Sequence, residues 1–88
     1  MIELLLVDDH AVVREGYRRL LERRPDLHVA AEAGDAEEAL QHLRAFPIDL
    51  IVLDLSLPGM GGIELTRRIL QRFPEAKILA FSMHRDPL

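Results

Sequence analysis

The sequence has no cysteine among its 88 residues, so no disulfide framework holds it together, which fits a reducing cytoplasm. It also lacks a positively charged leader. The opening stretch "MIELLLVDD" runs straight into acids, and its apolar run is far too short for a signal peptide or a membrane span. Positive charge is not in excess: 11 Lys and Arg against 15 Asp and Glu leave a net charge of −4, which argues against nucleic-acid binding by this segment. No repeat, low-complexity tract or linker interrupts the chain, and its length makes one domain at most. What remains is a cytoplasmic globular domain of ordinary composition, 49% hydrophobic and 30% charged. Its stability is expected to be modest, because a chain this short buries only about 60 to 65% of its unfolded surface.

The hydrophobic period switches regularly along the chain. Leu4 to Val7 (β1), Leu50 to Leu53 (β3) and Ile78 to Phe81 (β4) are short continuous apolar runs, as in parallel strands covered on both faces. His28 to Ala33 (β2) is a weaker, smaller pattern, with Ala30, Ala31 and Ala33, and reads as an edge strand. Between them lie helical patterns: Val13, Tyr17, Leu20 and Leu21 share one face of α1, Ala36, Ala39, Leu40 and Leu43 one face of α2, and Leu65, Ile69, Leu70 and Phe73 one face of α3. Asp35 with Glu38 resembles a capping box at the start of α2, and Pro25, Pro47 and Pro74 each fall just beyond a helix end. The order β1-α1-β2-α2-β3-α3-β4, with short right-handed crossovers, predicts an α/β fold on a doubly wound parallel sheet.

In such a sheet the strand C-termini share one edge, where ligands bind near the reversal of strand order. Asp8 and Asp9 end β1, Asp54 ends β3, and Ser82 ends β4. Two unit charges about 4 Å apart repel by about 4 kcal/mol at an effective dielectric of 20, so such a cluster is costly without a cation. Oxygen-rich and without cysteine, it suits a hard ion such as Mg²⁺, with water positions left open for a phosphoryl group. In "VLDLSLPGMGG", residues 52–62, Asp54 is followed by a Pro-Gly turn whose glycines let the backbone curl around a ligand.

Together the paired acids after β1, "LDLSLPGMGG" around Asp54 and the hydroxyl residue after β4 resemble the receiver domain of bacterial two-component response regulators, a flavodoxin-like fold. Residues 78–88, "ILAFSMHRDPL", are similar to the NarL/FixJ subfamily, whose receiver precedes a LuxR-type DNA-binding domain. The resemblance implies that Asp54 is the phosphoacceptor, taking a phosphoryl group from a sensor histidine kinase and forming an aspartyl phosphate. It implies Mg²⁺ bound directly by Asp9 and Asp54, through water by Asp8, and by the backbone carbonyl of Ser56. Ser82 would donate its hydroxyl to the phosphoryl group and move with it. A receiver is not an enzyme acting on other molecules, although it promotes its own phosphorylation and dephosphorylation. Met83, where receivers commonly carry a small residue, is expected to shade the phosphoryl group from water.

The family pattern continues after Ser82 with a helix, a fifth strand and a last helix, including a lysine that pairs with the phosphoryl group and an aromatic switch residue. Lys77 is the only lysine here and starts β4 at the far edge, so it cannot stand in. Residues 1–88 therefore read as one receiver domain truncated after its fourth strand, with no second domain and DNA contact left to an output domain elsewhere. Losing the fifth strand leaves residues 77–82 as an unpaired edge, from which self-association is expected.

Other readings weigh against this one. His10 and His84 flank the site but read as solvated loop residues. Arg14, Arg18, Arg19, Arg23 and Arg24 read as a helix exterior balanced by acids rather than a nucleic-acid face. A Mg²⁺-dependent aspartyl phosphohydrolase would carry a second aspartate two residues past the nucleophile, where Ser56 stands. A pseudo-receiver, keeping the fold without phosphate turnover, is the remaining alternative.

Overall fold

The computed structural model describes residues 1–82. Its elements are β1 (Ile2–Val7), α1 (Ala11–Leu21), β2 (Leu27–Ala33), α2 (Ala36–Ala45), β3 (Leu50–Asp54), α3 (Gly62–Arg72) and β4 (Ile78–Phe81). All strands pair in parallel, in the order β2-β1-β3-β4. The α/β reading and the edge position of β2 are borne out, with β1 and β2 beginning earlier than their apolar runs, at Ile2 and Leu27.

Because side chains alternate along a strand, each continuous apolar run feeds two cores. Leu5, Val7, Ile51 and Leu53 pack with Ala39 and Leu40 of α2 and with Leu65 and Ile69 of α3. On the other face Leu4, Leu6, Val29 and Val52 meet Tyr17 and Leu21 of α1, and the Tyr17 and Phe81 rings lie 4.9 Å apart between centroids. This second core is thinner, since α1 alone covers it among the described residues, and Leu79 stays 57% exposed. Leu20 and Leu70, expected on buried helix faces, are instead exposed, at 58% and 42%. A helical repeat sets the direction a side chain faces, not how far other elements cover it.

Helix α2 starts on the expected cap: Asp35 accepts from the Glu38 N–H at 2.8 Å. The reciprocal bond differs from a capping box, because the Glu38 carboxylate accepts from the Gly34 N–H at 2.6 Å rather than from that of Asp35. Helix α3 starts against the end of β3 through glycines with two different jobs. Gly59 and Gly61 take positive φ, 71° and 81°, and turn the chain. Gly62 has no room for a side chain: a Cβ there would run into Leu55 Cα and stand 2.7 Å from the Asp54 carbonyl oxygen. The close approach of α3 to Asp54 thus depends on a missing methyl group.

Candidate functional site

The C-terminal edge of the sheet gathers Asp8, Asp9, His10 and Asp54, with one ligating atom from each lying within 4.8 Å of the others. Asp8 and Asp54 are fully buried, and they are placed there by the same local device. The Asp8 N–H closes the ladder to the Ala33 carbonyl at 3.0 Å, and one carboxylate oxygen then accepts from the His10 N–H at 2.8 Å. After β3, the Leu55 N–H reaches the Phe81 carbonyl at 2.8 Å, and Asp54 Oδ1 accepts from the Ser56 N–H, also at 2.8 Å. An aspartate bonded to the backbone two residues on turns the chain out of its strand. It also commits only one of its two oxygens.

The other oxygens are left over. Asp8 Oδ2, Asp9 Oδ1 and Asp54 Oδ2 are buried without a hydrogen-bond partner. A buried unsatisfied polar atom costs about 1 to 3 kcal/mol, and more when charged, so three of them converging is an arrangement that calls for a cation. All are carboxylate oxygens, the donor type that Mg²⁺ prefers. The uncapped N-terminus of α1 lies beside them, and its dipole favours negative charge there. The residues present therefore fit the ion.

Ser82 directly follows β4 at this same edge, one position past the pairing of Asp54 with Phe81, and is exposed. Ser56 is exposed on the loop after β3. Lys77 precedes β4 at the opposite edge, where its carbonyl accepts from the Ile51 N–H, so it is remote from Asp54 as expected. A cavity of about 680 Å³ opens at that opposite edge between Leu43, Phe46, Ile48, Phe73 and Lys77. Asp49 and Glu75 line it together with Arg72 and Lys77, and none of the clustered aspartates does. Met83 and His84 lie outside the described residues.

Two residues contribute more than their sequence context signalled. The His10 side chain is 64% exposed, yet its Nδ1 approaches Asp9 Oδ1 to 3.2 Å, at the rim of the cluster. Arg14 reaches back from α1 to the backbone of Asp8. A histidine directly after paired acids was the signal available for the first; nothing in the linear pattern marked the second. The remaining arginines behave as an exterior face, with Arg18, Arg19 and Arg24 paired to Glu15, Glu22, Glu32 and Asp26.

A parallel sheet in the order 2-1-3-4 with an acidic cluster at its C-terminal edge defines a receiver-type α/β domain. The chain belongs to the response regulator receiver domain family, whose model matches residues 4–87. Among proteins of known role it is similar to the response regulator UvrY of Escherichia coli K12, 41% identical over 98% of this chain and 39% of that protein. It is 39% identical to the response regulator GacA of Pseudomonas syringae, over 99% of this chain and 41% of that one. These relatives are regulators rather than enzymes. The chain spans about two fifths of the length of such curated relatives. Among solved structures, a two-component response regulator of the LuxR family from Aurantimonas superposes with a TM-score of 0.89 at 57% identity, covering 94% of this chain and 59% of that one. The isolated receiver of RcsB from Salmonella enterica, solved with the phosphomimetic BeF₃⁻, superposes at 0.87 with 29% identity, covering 98% and 64%. Among the described residues no helix is long and apolar enough to cross a membrane.

Proposed function

We propose that this chain is the phosphoacceptor module of a cytoplasmic response regulator, with Asp54 as the acceptor and a sensor histidine kinase as the donor. The observation that carries the reading is the set of three buried carboxylate oxygens without a hydrogen bond at the sheet edge, of which only Asp9 Oδ1 has a basic group close by, His10 Nδ1 at 3.2 Å. Asp8, Asp9, Asp54 and the Ser56 carbonyl would hold Mg²⁺, which when bound supplies positive charge against the carboxylates and the incoming phosphoryl oxygens. A carboxylate oxygen of Asp54 forms the new P–O bond as the P–N bond of the kinase's phosphohistidine breaks, and the bonding pair leaves with the imidazole nitrogen. Asp54 Oδ1 stays anchored to the Ser56 N–H, which keeps the carboxylate oriented during transfer. Ser82, at the same edge, would donate its hydroxyl to the bound phosphoryl group and so report its arrival. Phosphorylation would then switch a DNA-binding output domain outside these residues. That reading is supported by relatives named as transcriptional regulators and by RcsB structures bound to DNA.

This segment itself would make no nucleic-acid contact, given its net charge of −4 and its acid-paired arginines. As an isolated chain it would self-associate through β4, which pairs only with β3 among the described residues and carries the exposed Leu79. Light scattering that returns the monomer mass at every concentration would remove this last point. The central claim is tested by incubation with acetyl phosphate and Mg²⁺ followed by intact mass. One base-labile adduct of about 80 Da, the mass of a phosphoryl group, is expected on the unaltered protein and none on Asp54→Asn. An adduct that survives Asp54→Asn would move the acceptor elsewhere, and its absence from both would favour a pseudo-receiver.

A further inference from the structure

Arg14 lies one turn into α1, and its guanidinium folds back toward the sheet edge. One nitrogen donates to the backbone carbonyl of Asp8 at 2.6 Å, and Nε donates to Glu32 Oε1 of β2 at 3.0 Å. The same group stands 3.3 Å from where a Cβ on Gly34 would sit, in the turn after β2. Three chain segments therefore meet at one planar fork, two of them through hydrogen bonds. The other arginines of α1 differ: Arg18 and Arg19 make surface ion pairs at 44% and 81% side-chain exposure, against 22% for Arg14.

The carbonyl that Arg14 holds belongs to the peptide shared by Asp8 and Asp9. Fixing its direction fixes how both carboxylates leave the backbone, one fully buried and the other at the rim. We propose that Arg14 is a positioning residue of the cation site, holding the Asp8–Asp9 peptide so that the two unpartnered oxygens face that of Asp54. The inference rests on the reading of this cluster as the Mg²⁺ site. An arginine suits the task better than a lysine, because its rigid fork spans two acceptors at once while a lysine ammonium holds one.

A competing account makes Arg14 merely a nearby positive charge, and the two accounts differ in sign. A bare charge beside the cluster repels Mg²⁺, so removing it would tighten binding. Losing a clamp would weaken it, by about 10- to 100-fold if Arg14 acts as outer partners of metal ligands usually do. Calorimetric titration of Mg²⁺ into the intact protein and Arg14→Met reads that sign directly. Weakening is expected for Arg14→Met, with partial recovery in Arg14→Lys. Ile69→Ala, a truncation in the core on the face of the sheet that α2 and α3 cover and α1 does not, should lower the urea midpoint yet leave the affinity of the folded protein unchanged. Should Arg14→Met fail to fold, Arg14→Gln removes the same charge while keeping one N–H donor, and it is expected to weaken binding in the same direction, to a smaller extent. Equal or tighter binding in the foldable variants overturns the positioning role alone. An unaltered protein that binds no Mg²⁺ overturns the site reading and this inference together.

Discussion

Both edges of this sheet are rich in carboxylates, but they are treated in opposite ways. At the N-terminal edge Asp49 Oδ2 accepts from the Glu3 N–H at 2.7 Å, Glu3 Oε2 meets His28 Nδ1 at 2.7 Å, and the Asp49 N–H returns a bond to the Glu3 carbonyl at 2.8 Å. These groups are exposed or half-buried, and each has a partner. At the C-terminal edge Asp8 and Asp54 are fully buried, and with Asp9 they leave three buried oxygens without a hydrogen bond. The difference separates acids that tie strands together from acids held ready for something absent from the chain itself. Charge count alone would not distinguish the two edges; the satisfaction of each oxygen does.

The largest effect expected from this contrast is metal linkage. Mg²⁺ that binds only the folded state adds about 2.7 kcal/mol of stability at a hundredfold excess over Kd, and each kcal/mol moves Tm by about 4 to 8 °C in a domain of this size. A clear rise in Tm with millimolar Mg²⁺ is therefore expected, absent in Asp9→Ala. Asp49→Ala should keep the rise, because among the described residues its edge has no buried oxygen left without a hydrogen bond. A Tm indifferent to Mg²⁺ in the unaltered protein would mean that the cluster does not act as a site.

Next in size is the metal-free cost of the cluster. With its second oxygen buried among other carboxylates and without a hydrogen bond, Asp54 is expected to weaken the fold that presents it. Asp54→Asn removes one charge and places an amide N–H₂ donor among acceptors, so without metal it should raise stability by about 1 to 3 kcal/mol, the usual penalty of one unsatisfied buried group. Urea denaturation in EDTA measures it. A loss of stability in Asp54→Asn would show that the oxygens are satisfied in solution.

How far all this could be read beforehand depended on the range of the interaction involved. Leu4–Val7, Leu50–Leu53 and Ile78–Phe81 were legible as strands because each apolar run reports burial on both faces, a property of the segment itself. That Asp8, Asp9 and Asp54 come together in one cluster was legible too, since parallel strands deliver their ends to a common edge. Leu20 and Leu70 misled, because a helical repeat marks the direction a residue faces and not whether anything covers it. The glycines were only half legible. Gly59 and Gly61 serve the turn, but the role of Gly62 comes from the carbonyl of Asp54 pressing on it, a contact visible only after α3 is docked. Arg14 was illegible for a similar reason, as Glu32 lies 18 residues away on another strand.

The smallest effect belongs to the N-terminal edge. Asp49→Ala deletes the acceptor of the Glu3 N–H, but both residues lie where water can replace the lost bond. A loss of no more than about 0.5 kcal/mol is expected, as for most surface substitutions. Its sign should be opposite to that of Asp54→Asn under the same metal-free conditions. That opposition is what makes the measurement useful, because both changes remove one negative charge from a chain whose net charge is −4. If relief of general acidity were the cause, both variants would gain stability together. If the gain comes from unpartnered oxygens, only the C-terminal edge can yield it, and Asp49→Ala must lose stability, however slightly, in urea denaturation with EDTA.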